Sequence, residues 1–159
     1  MEKVKELIDL LTLERLDENV FEGGNYKAPW KRVFGGQVLA QSLHAAYKTV
    51  PEDRFVHSMH GYFILAGHID VPIRYEVDIL RNGGSFTTRR VVAYQNGRAI
   101  FNMAASFQLR QEGFDHQIPM PNVLPADVLL PDYEQLRRLK ESDSEKYGHI
   151  RDIDPRPIE

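Results

Sequence analysis

Between Gln37 and Leu109 the chain offers one helical stretch and then only strands, and this order restricts the fold more than any other feature. Gln37 to Thr49 places Val38, Leu39, Leu43, Ala46 and Tyr47 on one broad apolar face. Ala40, Ser42, Ala45 and Ala46 keep that helix slim enough for a sheet to close around it, and Pro51 stops it. Phe55 to Leu65 is a long apolar-rich run. From Ile73 to Leu80, Ile73, Tyr75, Val77 and Ile79 alternate with Arg74, Glu76 and Asp78, as a half-buried strand requires. Asn82-Gly83 and Asn96-Gly97 read as tight hairpin turns, because both residue types accept positive φ. Phe86 to Gln95 and Arg98 to Leu109 are therefore expected side by side and antiparallel. On the last strand Ala99, Phe101, Met103, Ala105 and Phe107 share one face. Asn102, Ala104, Ser106 and Gln108 make a small, polar opposite face suited to a crevice or a subunit contact. The pattern predicts an α+β domain with an antiparallel sheet wrapped around a central helix.

Ahead of this unit, Val4, Leu7, Ile8 and Leu11 recur at helical spacing and predict a short amphipathic helix. Leu16 to Tyr26, with Val20, Phe21 and Gly23-Gly24, predicts an edge strand and its turn. After Arg110 the character changes: Pro119, Pro121, Pro125 and Pro131 interrupt the chain too often for regular structure throughout. Pro131 to Lys146 predicts a charged surface helix with Tyr133, Leu136 and Leu139 as a thin apolar stripe, and Arg151 to Glu159 reads as a linker. The expected division is a domain over residues 1–110 and a proline-rich linker with a surface helix over 111–159.

Composition removes several functions. At 159 residues, 42% apolar and 27% charged, the chain has the make-up of a folded domain with a core. Its net charge of −3 and pI near 6.1 give none of the basic excess of a nucleic-acid binder. Without cysteine there is no disulfide, thiol nucleophile or thiolate metal site, which suits a reducing compartment. No apolar run reaches the length of a membrane span and the start lacks a secretory pattern, so the expected location is the cytoplasm, or a peroxisome in a eukaryote. His68 with Asp70, and Asp115 with His116, each lack a third ligand at recognisable spacing, so no metal is expected.

Arg32-Val33-Phe34-Gly35-Gly36-Gln37-Val38 puts a glycine pair directly before a helix without acidic residues. Glycines there let a ligand approach the unpaired N–H groups and positive dipole end, which favour an anion or a carbonyl oxygen. They serve close helix–strand packing equally well. With this segment, Val56-His57-Ser58-Met59-His60-Gly61-Tyr62-Phe63, Gly84-Ser85-Phe86-Thr87-Thr88-Arg89-Arg90-Val91, Gln95-Asn96-Gly97-Arg98-Ala99-Ile100-Phe101, Ala104-Ala105-Ser106-Phe107-Gln108 and Asp115-His116-Gln117 follow in order. In these segments, up to about Met120, the chain resembles the N-terminal hotdog domain of the acyl-CoA thioesterase II family, whose members carry two hotdog domains in one polypeptide.

The resemblance implies a hotdog fold and hydrolysis of acyl-CoA to free fatty acid and CoA, with no cofactor. It also implies that the acid–amide–hydroxyl set holding the water belongs to a second domain absent here, so the chain alone is expected to be poorly active. The residues agree: from Gln37 to Val50 there is no Asp or Glu, and Gln37 and Gln41 cannot take a proton from water. Gly35, Gly36 and Gln37 are the candidates for contacting a thioester carbonyl through backbone N–H groups. His57 and Gln108 are the weak catalytic candidates, each otherwise a hydrogen-bonding residue of a domain interface. His57 and its neighbour Ser58 are expected on opposite strand faces, which excludes a simple dyad. Lys31, Arg32, Arg89 and Arg90 are phosphate candidates, Arg32 and Arg90 foremost. The competing reading is a non-catalytic module binding acyl-CoA or an acyl chain. A hotdog hydratase ranks last, since His44 has no Asp near it. A lone hotdog leaves an open sheet edge, so pairing with a second hotdog domain, or self-association as a homo-oligomer, is expected.

Overall fold

The computed structural model describes residues 2–28, 31–125, 128 and 132–147. Helix α1 (Glu2–Leu11) leads into a hairpin of β1 (Glu14–Asp17) and β2 (Val20–Gly23). Helix α2 (Gly35–Tyr47) is followed by β3 (Arg54–Phe63), β4 (Ile73–Asn82), β5 (Phe86–Gln95) and β6 (Arg98–Leu109). The six strands form one antiparallel sheet in the order β1-β2-β4-β5-β6-β3. The chain divides into two compact units, Met1–Glu112 and Gly113–Glu159. The second contains α3 (Asp132–Ser142) and α4 (Ser144–Tyr147). Pro131, Arg151 to Glu159 and the side chains of Tyr133 and Leu136 lie outside the described residues, whereas Leu139 is exposed. No described helix is long and apolar enough to cross a membrane.

Alternation decides which strand face holds α2. Ile73, Tyr75 and Val77 of β4, Val91 and Ala93 of β5, and Phe101, Met103, Ala105 and Phe107 of β6 are buried with Val38, Ala45 and Ala46 of the helix. Each large apolar side chain so buried contributes about 1.5–3 kcal/mol. The intervening residues of β6 stay half-buried or exposed on the outer face. Ile79 departs from the pattern and is exposed, next to a register shift between Ile79 and Arg81.

Several expectations need correction. The segment Leu16 to Tyr26 is not one strand: it holds the end of β1, a turn and β2, and β1 is the edge. The glycine pair is not before the helix but forms its first two residues. The buried face of α2 is more polar than expected: Gln37, Gln41 and Ser42 are buried, whereas Leu39 and Leu43 are partly buried and Tyr47 is exposed. Asn96-Gly97 has positive φ at both residues, 50° and 72°, as a two-residue hairpin demands. Gly83 is not among the positive-φ residues. The register shift in β4 puts the strands out of step, so the connection between paired Asn82 and Thr87 is longer, and the Gly83 N–H donates to Phe86 O at 2.9 Å.

Ser42 Oγ is buried without a hydrogen-bond partner among the described residues. An orphan hydroxyl is costly, and alanine is the better helix former. Ser42→Ala is therefore expected to stabilise the domain by about 1 kcal/mol, read as a higher denaturant midpoint at unchanged slope. A lower midpoint would show that the hydroxyl has a partner in solution.

Candidate substrate-binding site

The N-terminus of α2 is open. Its N-cap, Phe34, makes no side-chain cap bond, and the first turn has no acidic residue. Gln37 and Val38 give their N–H groups to Phe34 O at 3.0 and 3.3 Å. Among the described residues no acceptor meets the N–H groups of Gly35 and Gly36. Both glycines lie beneath exposed phenyl rings: a Cβ on Gly35 would stand 3.0 Å from Phe63, and one on Gly36 would stand 2.5 Å from Phe34. Beside Gly35 is a cavity of about 400 Å³ walled by Val33, Val38, Ile64, Leu65, Ile100 and Phe101. Phe63 forms part of its wall, its ring 4.8 Å from that of Phe101.

One helical turn further in, the helix is held by amides. Gln41 is fully buried; its Nε2 donates to Leu10 O at 2.6 Å and Gly24 O at 3.0 Å, and its Oε1 accepts from Tyr75 Oη at 2.6 Å. Gln37 Nε2 donates to Gly24 O and Asn25 Oδ1, both at 3.0 Å, and its Oε1 accepts from the Tyr26 N–H at 3.1 Å. Both amides are thus spent on clamping residues 24–26 to the helix. A Cβ on Gly23 would fall 2.7 Å from Gln41 Nε2, so the network also requires glycine there. Burial pushes the Tyr75 phenol well above its ordinary range. The alternation of β4 marked Tyr75 as inward, and an inward phenol demands a partner, but the partner's identity was not legible in sequence.

At the other end of α2, Arg89 is 1% exposed and makes five bonds: Nε to Thr49 Oγ1, Nη1 to Arg81 O and Thr88 O, Nη2 to Thr49 O and Asn82 Oδ1. A guanidinium has five N–H donors, so none is left for a phosphate. Burial lowers its pKa from the usual value. His44, half-buried near this end, is also lowered, first by burial and then by Lys48 one turn on. Between that depressed native value and 6.5, the unfolded chain binds a proton that the native ring refuses. Stability from this group thus rises with pH through the window and is lost as pH falls. His44→Gln is expected to flatten the slope of thermal midpoint against pH below 6.5; an unchanged slope would place the dependence on another group.

The remaining candidates lie elsewhere. A register shift between Val56 and Ser58 breaks the alternation at His57. Its Nε2 lies 2.9 Å from Ser106 Oγ and its ring stands edge-on to Phe86 at 5.7 Å, so His57 is on the outer face rather than on the inner face with Met59 and Phe63. Gln108, opposite Phe86, shares that outer face. So does Arg90, whose Nε donates to Asp78 Oδ2 at 2.8 Å. The sheet separates these three from Gly35 and Gly36. Arg32 is exposed and forms an isolated bridge with His68 at the cavity rim, where the Val33 N–H donates to Gly67 O at 3.0 Å. Asp70 pairs with Lys27 at 2.7 Å, and the hydrogen bond and charge of Lys27 hold its carboxyl below the usual range. Asp115 and His116 are exposed in the second unit. Phe63 was absent from the sequence-derived candidates, because its part depends on the helix end that it meets in space.

One antiparallel sheet around one helix, with the helix opened by glycines, is a hotdog domain, and its solved structural neighbours include a hotdog-fold protein from Alicyclobacillus acidocaldarius. Residues 26–108 match the family described as acyl-CoA thioesterase N-terminal domain, and the chain belongs to it. It is 48% identical over 122 residues to acyl-coenzyme A thioesterase 8 of Homo sapiens, covering 76% of this chain and 38% of that one. It is 46% identical over 117 residues to acyl-CoA thioesterase 2 of Haemophilus influenzae, covering 74% and 41%. The crystal structure of the acyl-CoA thioesterase II TesB2 of Mycobacterium marinum superposes with a TM-score of 0.70 at 43% identity, covering 84% of this chain and 48% of that one. The chain thus spans less than half the length of these relatives.

Proposed function

We propose that this chain is the N-terminal half of an acyl-CoA thioesterase, which cleaves acyl-CoA with water to a free fatty acid and CoA. In that reaction a water oxygen bonds to the thioester carbon, the carbon–sulfur bond breaks, and the proton passes to the thiolate. The observation that carries this reading is the uncapped, glycine-opened end of α2 beside an apolar cavity. The N–H groups of Gly35 and Gly36 suit the thioester oxygen, and charge developing there is stabilised by donors already in place. Gln37 positions them from its buried amide. Arg32 at the rim serves the CoA phosphates. Arg90, on the outer face, serves them only if a second domain folds the ligand around the sheet.

Among the described residues the cavity and the first turn of α2 carry no carboxylate. The water-activating set is therefore assigned to a second hotdog domain, with residues 111–159 leading toward it. His57 and Gln108 remain contacts at a domain interface or to acyl-CoA. Support for the second domain comes from the sheet edges: β1 is short, charged and irregular, whereas β3 is long and mostly exposed, with Met59, Tyr62 and Phe63 in water. A second copy would cover the same edge, so gel filtration showing a folded monomer at micromolar concentration would count against self-association. A reducing compartment such as the cytoplasm suits a cysteine-free chain.

The test is free-thiol release from a long-chain and a short-chain acyl-CoA, with binding of a non-hydrolysable analogue in parallel. Binding without turnover, and turnover once the second half is supplied, is expected. Turnover well above background by this chain alone would overturn the assignment of the chemistry to the other half. The absence of a helix carboxylate also favours a second reading, a non-catalytic acyl-CoA-binding module; binding with no turnover even in the company of the second half would select it.

A further inference from the structure

We propose that the cavity beside Gly35 receives the alkyl chain of the ligand and that Phe63 sets the chain length it accepts. The inference rests on the acyl-thioester reading above and adds a specificity-determining residue to it. No charged or polar side chain lines the cavity: its side chains are all hydrocarbon, and the polar part of the wall is backbone. Such a wall fixes no polar body, but it rewards every methylene removed from water. The donors near it are the N–H groups of Gly35 and Gly36, which suit one carbonyl oxygen at the head of an apolar tail. The rim completes the match in charge: Lys31 and Arg32 are exposed, and Val33 and Gly67, next along the two chain segments bridged there, line the cavity. A ligand with an anionic head, one carbonyl and a hydrocarbon tail fits all three features in that order.

Phe63 is the last residue of β3, and its ring stands between Gly35 on the helix and Phe101 on the sheet. It is 61% exposed, so the core does not lock it in place. Ile64 and Leu65, the next two residues, also line the cavity and are exposed at 48% and 41%. An alkyl chain entering beside Gly35 would cover this run, and the Phe63 ring fills part of the same cavity wall, so its size limits how much of the chain the cavity can hold.

The test measures binding of butyl, octyl, dodecyl and hexadecyl thioether analogues of acyl-CoA to this 159-residue chain by calorimetry. Phe63→Ala is expected to move the optimum to longer chains, tightening the hexadecyl analogue relative to the octyl by about tenfold, as two further buried methylenes would. Ala66→Phe, which narrows the cavity from an exposed position, should do the reverse and favour the butyl analogue. Tyr62→Ala, a neighbour on the outer face, should leave the profile unchanged. Analogues that bind with the same chain-length profile in wild type, Phe63→Ala and Ala66→Phe would overturn this inference and leave the thioester reading standing. Failure of the folded wild-type chain to bind any analogue would overturn both.

Discussion

Arg89→Leu is expected to cost about 2–4 kcal/mol of stability, a large share of what a marginal domain has. The side chain is buried and all five of its donors are used. Its acceptors join three pieces of chain: Thr49 after α2, Arg81 and Asn82 at the end of β4, and Thr88 beside it on β5. Leucine fills part of the volume but leaves partly buried oxygens without their donor, and each such loss costs about 1–3 kcal/mol where water cannot replace it. The charge is stabilised by carbonyl and hydroxyl dipoles, including Thr49 O just past the helix end, where the macrodipole favours a cation. Arg89→Lys, with a point charge and three donors, should recover part of the loss. Urea denaturation with the slope held constant measures both variants. A change below about 1 kcal/mol for leucine would mean that water replaces the guanidinium.

Gln41→Leu is expected to cost about 2–4 kcal/mol, because it removes the donor to Leu10 O and Gly24 O and the acceptor of Tyr75 in one step. The decisive comparison is the pair Gln41→Leu with Tyr75→Phe. If the loss in the single variant includes an orphaned phenol, removing that phenol should return about 1 kcal/mol, so the double variant should be more stable than Gln41→Leu alone. Simple additivity of the two losses would show that Tyr75 finds another partner, and that the network is less closed than its geometry indicates.

The outline of the fold could be read from residue order because each segment carries its own period. Ile73, Tyr75 and Val77 alternate, Asn96-Gly97 accepts positive φ, and Pro51 cannot continue a helix; each acts locally. The errors fall where a partner far along the chain intervenes. Gln37 and Gln41 read only as amides that cannot take a proton, until Gly24, Asn25 and Leu10 arrive with carbonyls that need donors. The alternation at His57 fails because β3 gains a residue against β6. Asn82-Gly83 looks like a two-residue turn until the register shift in β4 lengthens the connection.

The candidate site divides in the same way. The glycines at the head of α2, the missing helix carboxylate and the membership of an acyl-CoA thioesterase family are properties of residue identity and order, and the sequence alone determined them. Tertiary structure decided the rest: that Arg89 has no donor to spare, that Phe63 lies over Gly35, and that the sheet stands between His57, Gln108 and Arg90 on one side and the helix N-terminus on the other. The reason is the range of the forces. Backbone preference and apolar period act over a few residues, whereas a buried hydrogen bond or an aromatic contact depends on which distant segment arrives beside it.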